Sequence, residues 1–178
     1  MQLTLSSENV RDTVMTNLQG QVIYKIDTPW SLTARTTTIR KIRPSSSPLS
    51  MRDDFEVVAE IDWHSWTSSK FRFNGNQVRS EDYIPSTGFT RRKRTFIGPD
   101  GRKYKWTLGR RTPSLELGDI PVARFHKRSL GVIGQSHPPY LEIYPAGEHI
   151  VDAIVLTFIY VEKLRKDGQR AAAASAAA

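Results

Sequence analysis

Residues 150–164, IVDAIVLTFIYVEKL, restrict what this chain can fold into more than any other stretch. Between Ala153 and Val161 no side chain is charged, and the only polar side-chain atoms are the hydroxyls of Thr157 and Tyr160. Wound at about 3.6 residues per turn, the segment is apolar on every side and offers no stripe to water. Such a helix belongs in a core or a membrane. A bilayer span needs roughly 20 apolar residues, whereas Asp152 and Glu162 close a much shorter run. Ile, Val and Thr favour strand, but strands rarely exceed about 8 residues, so length predicts a helix over about 148–165. A helix wetted nowhere needs neighbours all round it. A closed antiparallel β-barrel supplies them.

The rest of the chain reads as the strands of that barrel. Residues 2–5 (QLTL), 21–26 (QVIYKI), 35–42 (RTTTIRKI) and 70–73 (KFRF) alternate or are rich in β-formers. The strongest strand is 55–66, FEVVAEIDWHSW. Phe55, Val57, Ala59, Ile61 and Trp63 share one face, and Glu56, Glu60, Asp62 and His64 share the other. Phe96-Ile97, a tight turn at Gly98-Pro99-Asp100-Gly101 and RKYKWTL (102–108) make a hairpin. Tyr104, Trp106 and Leu108 point in, Lys103, Lys105 and Thr107 out. PVARFH (121–126), Val132-Ile133 and YLEIY (140–144) supply the remaining strands, and PSSSPLS (44–50) is a loop by composition. No internal repeat or long linker divides the chain. The expectation is one domain over 1–168 and an Ala-rich tail over 169–178, too short to hold a helix unaided.

At 178 residues without cysteine, the chain builds a core with no disulfide framework, which fits a reducing, cytoplasmic address. MQLTLSSENV carries neither the basic nor the apolar region of a signal peptide. Lys and Arg number 26 against 18 Asp and Glu, a formal charge of +8 that suits anionic partners.

LSSEN near the start, GQVIYKI with a following TP, AEIDWH, FIGPDGRKYKW, VARFH and the closing IVDAIVLTFIYVEKLRKD together resemble a family abundant in mushroom-forming fungi, the DUF6593 family of unknown function. The likeness runs from about residue 3 to 167. That family is similar to the tubby C-terminal, LURP-one-related and scramblase-like class. The resemblance implies a barrel of about twelve short strands threaded by the C-terminal helix, and a role at phosphoinositides or membranes. It carries over no functional residues.

Among chemistry-bearing residues the basic cluster stands out. Arg91, Arg92, Lys93 and Arg94 lead into the hairpin, Lys103 and Lys105 point outward from it, Arg102 sits at its turn, and Arg110 and Arg111 follow. These nine are the candidate anion site. An anionic membrane lipid, met peripherally, is the expected partner of a non-catalytic binding module. A bland alternative is a solvated strand edge that discourages edge pairing. Self-association through the tail and free edges is a second function. Nucleic acid comes third, because Tyr104 and Trp106 should face the core rather than stack on bases.

No cofactor or metal is expected. His64, His126, His137 and His149 are scattered, and without cysteine they make no zinc pattern. Asp62 and His64 share a strand face and read as a surface pair, since no nucleophile accompanies them. There is no G-x-S-x-G elbow, and Gly98, Gly101 and Gly109 lack the strand-to-helix context of a dinucleotide loop. Asp152 should stabilise the positive end of the helix, with Lys163, Arg165 and Lys166 at the other end.

Overall fold

The structure, a computed structural model, describes residues 1–30, 35–43, 54–64, 68–88, 92–130 and 136–177. The chain begins with β1 (Gln2–Leu5), β2 (Thr13–Thr16), β3 (Val22–Asp27), β4 (Arg35–Ile42) and β5 (Phe55–Trp63). β6 (Lys70–Phe73) and β7 (Asn76–Arg79) follow, then one helical turn, α1 (Ser80–Tyr83). β8 (Ser86–Thr87), β9 (Lys93–Ile97), β10 (Lys103–Leu108), β11 (Pro113–Leu117), β12 (Ile120–His126) and β13 (Tyr140–Ile143) complete the strands. A 3-10 helix at Pro145–Ile150 leads into α2 (Val151–Ala176). The sequence segments at 44–50, 65–66 and 132–133 lie outside the described residues.

All thirteen strands belong to one antiparallel sheet, in the order β7-β6-β5-β4-β3-β2-β1-β13-β12-β11-β10-β9-β8. The first strand pairs with the last, Leu3 opposite Leu141. Irregularities in register fall between Met15 and Thr16, Ile39 and Arg40, and Leu115 and Glu116. Each such bulge bends its strand and increases local twist, which lets a sheet this wide curl. The bulge opposite Ile39-Arg40 also corrects the face assigned to β5. Ile39 pairs with Ala59 but Arg40 pairs with Val57, so the alternation slips by one residue. Ala59 and Ile61 are buried as expected, while Val57 is exposed.

The chain is mostly β, as expected, but the sheet is not a closed barrel of about twelve strands. Among the described residues it has thirteen, and the terminal strands β7 and β8 share no ladder there. β8 is only two residues long and α1 occupies the connection before it, so little backbone is left to pair across the seam. Rings fill the gap instead. Tyr83 of α1 lies 5.4 Å and 5.0 Å, between ring centroids, from Phe71 and Phe73 of β6, and 6.1 Å from Phe96 of β9.

Inside the curl lies α2. Every residue from Ile154 to Val161 is at most 5 % exposed. Tyr160 stacks on Trp63 of β5 and meets Phe71 of β6 edge-on, while Phe158 packs against Trp106 of β10 and Phe125 of β12. One helix therefore touches both halves of the sheet. Its one interior hydroxyl after Ala153 and before Phe158, that of Thr157, donates to the Ala153 carbonyl at 2.7 Å and accepts from Trp106 Nε1 at 3.0 Å. Burying one Val, Leu, Ile or Phe side chain contributes about 1.5–3 kcal/mol, so this stretch is a large continuous part of the core. α2 then runs on to Ala176, with residues 168–177 exposed. The alanines continue a helix already nucleated by packing, which removes the initiation cost a free alanine run would face. Lys163, Arg165 and Lys166 consequently sit within the helix and do not cap its end.

Candidate anion-binding surface

α2 gives the curled sheet two distinct ends. The 3-10 helix and the β9–β10 turn mark the far end; the point where α2 leaves the sheet marks the exit end. Antiparallel register fixes which loops gather where. The β1–β2, β3–β4, β10–β11 and β12–β13 connections all lie at the exit end.

Eight of the nine basic residues are described, and they divide among these ends, the outer face of the sheet and the interior. Arg94 pairs with Trp106 across the β9–β10 ladder and shares its inward face. Its guanidinium carbon lies 5.8 Å from the Tyr160 ring centroid, Nη1 donates to the Ile84 carbonyl at 3.3 Å, and Nε is buried with no partner. Lys105 points outward but faces Glu116 of β11, with Nζ 3.0 Å from the carboxylate. Arg102 and Lys103 stand exposed at the far end, Arg102 Nε 3.7 Å from Asp100. Arg91 lies outside the described residues.

Arg92, Lys93, Arg110 and Arg111 come together at the exit end. The Leu108 amide donates to the Arg92 carbonyl at 2.8 Å, which places Arg92 beside the loop carrying Arg110 and Arg111. That loop is tied to α2, since the Arg110 carbonyl accepts from Gln169 Nε2 at 2.7 Å and from Arg165 Nη1 at 3.4 Å. All four side chains are exposed, and none has an ion-pair partner among the described residues. The length of β10, about 20 Å at roughly 3.3 Å per residue, separates them from Arg102 and Lys103.

Other cations surround the same end. Arg11, Lys166 and Arg170 border a small hollow of about 40 Å³, and Lys127 and Arg128 follow β12 directly. Burial lowers the Lys166 ammonium from its ordinary value; the neighbouring Arg165 and Lys127 charges add to this, against the opposing pull of Glu162 and Glu8. Of the carboxylates here, Glu8 and Asp12 of the β1–β2 connection are exposed, and two others are engaged. Glu162, fully buried, receives both Arg165 Nε and Nη2 at 2.6 Å, and Asp167 holds Lys163 at 2.5 Å. The sequence signal for these extra cations is the Lys127-Arg128 pair directly after VARFH and the four cations of EKLRKDGQR, whose place after an apolar run suggests a helix cap instead.

The far end is built differently. A cavity of about 800 Å³ opens there, walled by Ile23, Phe73, Tyr83, Ile97 and Leu156, with Lys41 and Asp152 among its polar lining. Asp152 accepts from the Tyr24 hydroxyl and from Lys41 Nζ at 2.8 and 3.0 Å. Burial, with the Asp152 charge behind it, pushes the Tyr24 hydroxyl far above its ordinary value. Asp100, in the β9–β10 turn, accepts from Tyr104 Oη at 2.6 Å and from the Arg102 amide at 3.1 Å, and lies 2.8 Å from His149 Nε2. Burial works to raise its carboxyl, but the hydrogen bonds from Tyr104, His149 and Arg102 outweigh it and hold the group down to about 2. These charges satisfy one another and fasten the 3-10 helix to the hairpin.

The remaining candidates form no reactive constellation. Asp62 is taken by Arg72 and by the Thr36 hydroxyl at 2.6 Å, while His64 Nδ1 lies 3.2 Å from the Asp62 carbonyl rather than from its carboxylate. His126 Nε2 stands 2.9 Å from Glu142. Among the described residues no three His, Asp or Glu side chains are placed to hold a metal ion, and no helix is long and apolar enough to cross a membrane.

A family model described as a family of unknown function (DUF6593) matches residues 8–167. No curated protein and no solved structure matches the chain.

Proposed function

We propose that this chain, which belongs to the DUF6593 family, is a non-catalytic module that docks peripherally on anionic phospholipid headgroups through its exit end. The observation that carries the reading is the gathering of Arg92, Lys93, Arg110 and Arg111 on one surface, exposed and without ion-pair partners among the described residues. Each cation near an anionic bilayer contributes about 1 kcal/mol. Four alone correspond to roughly millimolar binding, and adding Arg128 and Arg170 brings it to the order of tens of micromolar. A phosphoinositide, with several phosphates open to paired arginine contacts, would hold more tightly. Tyr104 and Trp106 are fully buried, so the hairpin has no stacking platform to favour nucleic acid. A tubby-like reading of the curled sheet with its internal helix, a fungal origin and a cytoplasmic address belong to the same proposal.

Vesicle flotation tests it. The chain should float with vesicles containing phosphatidylserine or a phosphatidylinositol phosphate, and should be released as sodium chloride is raised. Equal flotation on pure phosphatidylcholine, or none on any vesicle, would overturn the reading. Self-association is a second reading, supported by the free edges of β7 and β8 and by the exposed last turns of α2. Light scattering decides it, since a monomer at high concentration removes the idea.

A further inference from the structure

The two most exposed large apolar side chains among the described residues are Trp30, 82 % exposed, and Leu130, 77 % exposed. A single exposed leucine is ordinary; the position of this pair is what matters. Trp30 belongs to the β3–β4 connection and Leu130 to the β12–β13 connection, both at the exit end among the cations described above. Both are presented on fixed stems. The Thr28 hydroxyl, two residues before Trp30, donates to the Arg11 carbonyl at 2.7 Å and shares a 2.6 Å hydrogen bond with Thr37. Ser129, directly before Leu130, pairs with His137 through two backbone hydrogen bonds of 3.0 and 3.1 Å. The Arg11 backbone therefore holds the stem that carries Trp30, and Lys127 and Arg128 precede the leucine.

From this juxtaposition we infer that Trp30 and Leu130 are apolar anchors that enter the lipid interface when the basic end meets an anionic bilayer. The inference rests on the docking reading and deepens it, adding apolar insertion to what would otherwise be a purely electrostatic contact. Tryptophan settles at the headgroup level of a bilayer, and apolar side chains on a docked surface reach about 5–10 Å into the headgroup and acyl boundary. The surrounding arginines and lysines stay with the phosphates. A nucleic acid has no apolar layer to receive Leu130, so the pair selects a bilayer among anionic partners. Leu18, 71 % exposed in the β2–β3 turn, lies at the far end and serves as the control.

The chain has no cysteine, so single labelled sites are clean. Leu130→Cys and Leu18→Cys, each carrying an environment-sensitive fluorophore, are titrated with phosphatidylserine–phosphatidylcholine vesicles containing a nitroxide-labelled lipid. The label at 130 should shift to the blue and be quenched; the label at 18 should do neither. In the unlabelled chain, Trp30→Ala and Leu130→Ala should each weaken binding about tenfold or more while leaving its steepness with salt unchanged. Flotation of a labelled chain whose probe at 130 stays in water would overturn the inference and leave the docking reading standing. Quenching at 18 instead of 130 would show the wrong end bound and overturn both, as would failure to bind at all.

Discussion

Removing Arg165 should be far more damaging than removing the whole ion pair to which it belongs. Glu162 is 0 % exposed and Arg165 5 % exposed, and the guanidinium meets the carboxylate through two hydrogen bonds of 2.6 Å. Arg165→Met leaves a carboxylate sealed under the exit end. Breaking a buried pair from one side costs about 3–5 kcal/mol, whereas replacing both partners with apolar side chains of similar volume is often neutral or stabilising. Lys166 Nζ, 3.9 Å from Glu162, gives partial cover and places the single substitution at the lower end of that range. Glu162→Leu combined with Arg165→Met should recover most of the loss. Urea unfolding reads this directly as a shift of midpoint, and a thermal melt should fall about 2–4 °C per kcal/mol for a chain of this size. A loss under about 1 kcal/mol for Arg165→Met would mean the pair is solvated and α2 is not enclosed at this depth. A double variant as damaged as the single one would mean the pair itself holds the sheet together.

Three further outcomes follow from the geometry. A Cβ on Gly147 would stand 2.8 Å from Ile154 Cδ1 and Val122 Cγ1 and 2.9 Å from the Val122 carbonyl, so Gly147→Ala should lose about 1–3 kcal/mol in the same unfolding assay. Gly168 has nothing within 4 Å, so Gly168→Ala should act in the opposite sense, slowing amide exchange over 168–176 because alanine favours helix by about 1 kcal/mol over glycine. Asp100 has its carboxyl held down to about 2 from 3.8, so the unfolded chain binds the proton first as acid is added. Its contribution is complete above about pH 4 and is lost as pH falls through 2; Asp100→Asn should flatten that limb of an acid titration at fixed denaturant.

The core of the fold was legible because its residues repeat a simple rule. α2 declared itself by being apolar all round, β4 by its threonines and branched residues, and the β9–β10 hairpin by its GPDG turn. β2 escaped because TVMT is too short to show a period, and β11 because it opens on Pro113, which donates nothing to a ladder. Val57 went to the wrong face since no feature of FEVVAEIDW marks the bulge opposite Ile39-Arg40. Within the basic cluster, some of the sorting was readable. Arg94 stands two residues before Phe96 and so shares its inward face, and a hairpin brings Arg92 to Leu108, not to Arg102. The Lys105–Glu116 pair was not readable, because it depends on the register between β10 and β11. Likewise, the meeting of Trp30, Leu130 and the exit-end cations joins loops a hundred residues apart through the ordering of the sheet.

One comparison of vesicle affinities decides which end of the molecule meets the anionic surface. Arg92, Lys93, Arg110 and Arg111 changed together to serine should weaken binding to phosphatidylserine vesicles by about a thousandfold, at about 1 kcal/mol for each cation lost. Arg102 and Lys103 changed to serine at the far end should leave affinity unchanged within error. Equal losses from both sets, or a loss only from the far-end pair, would contradict the account.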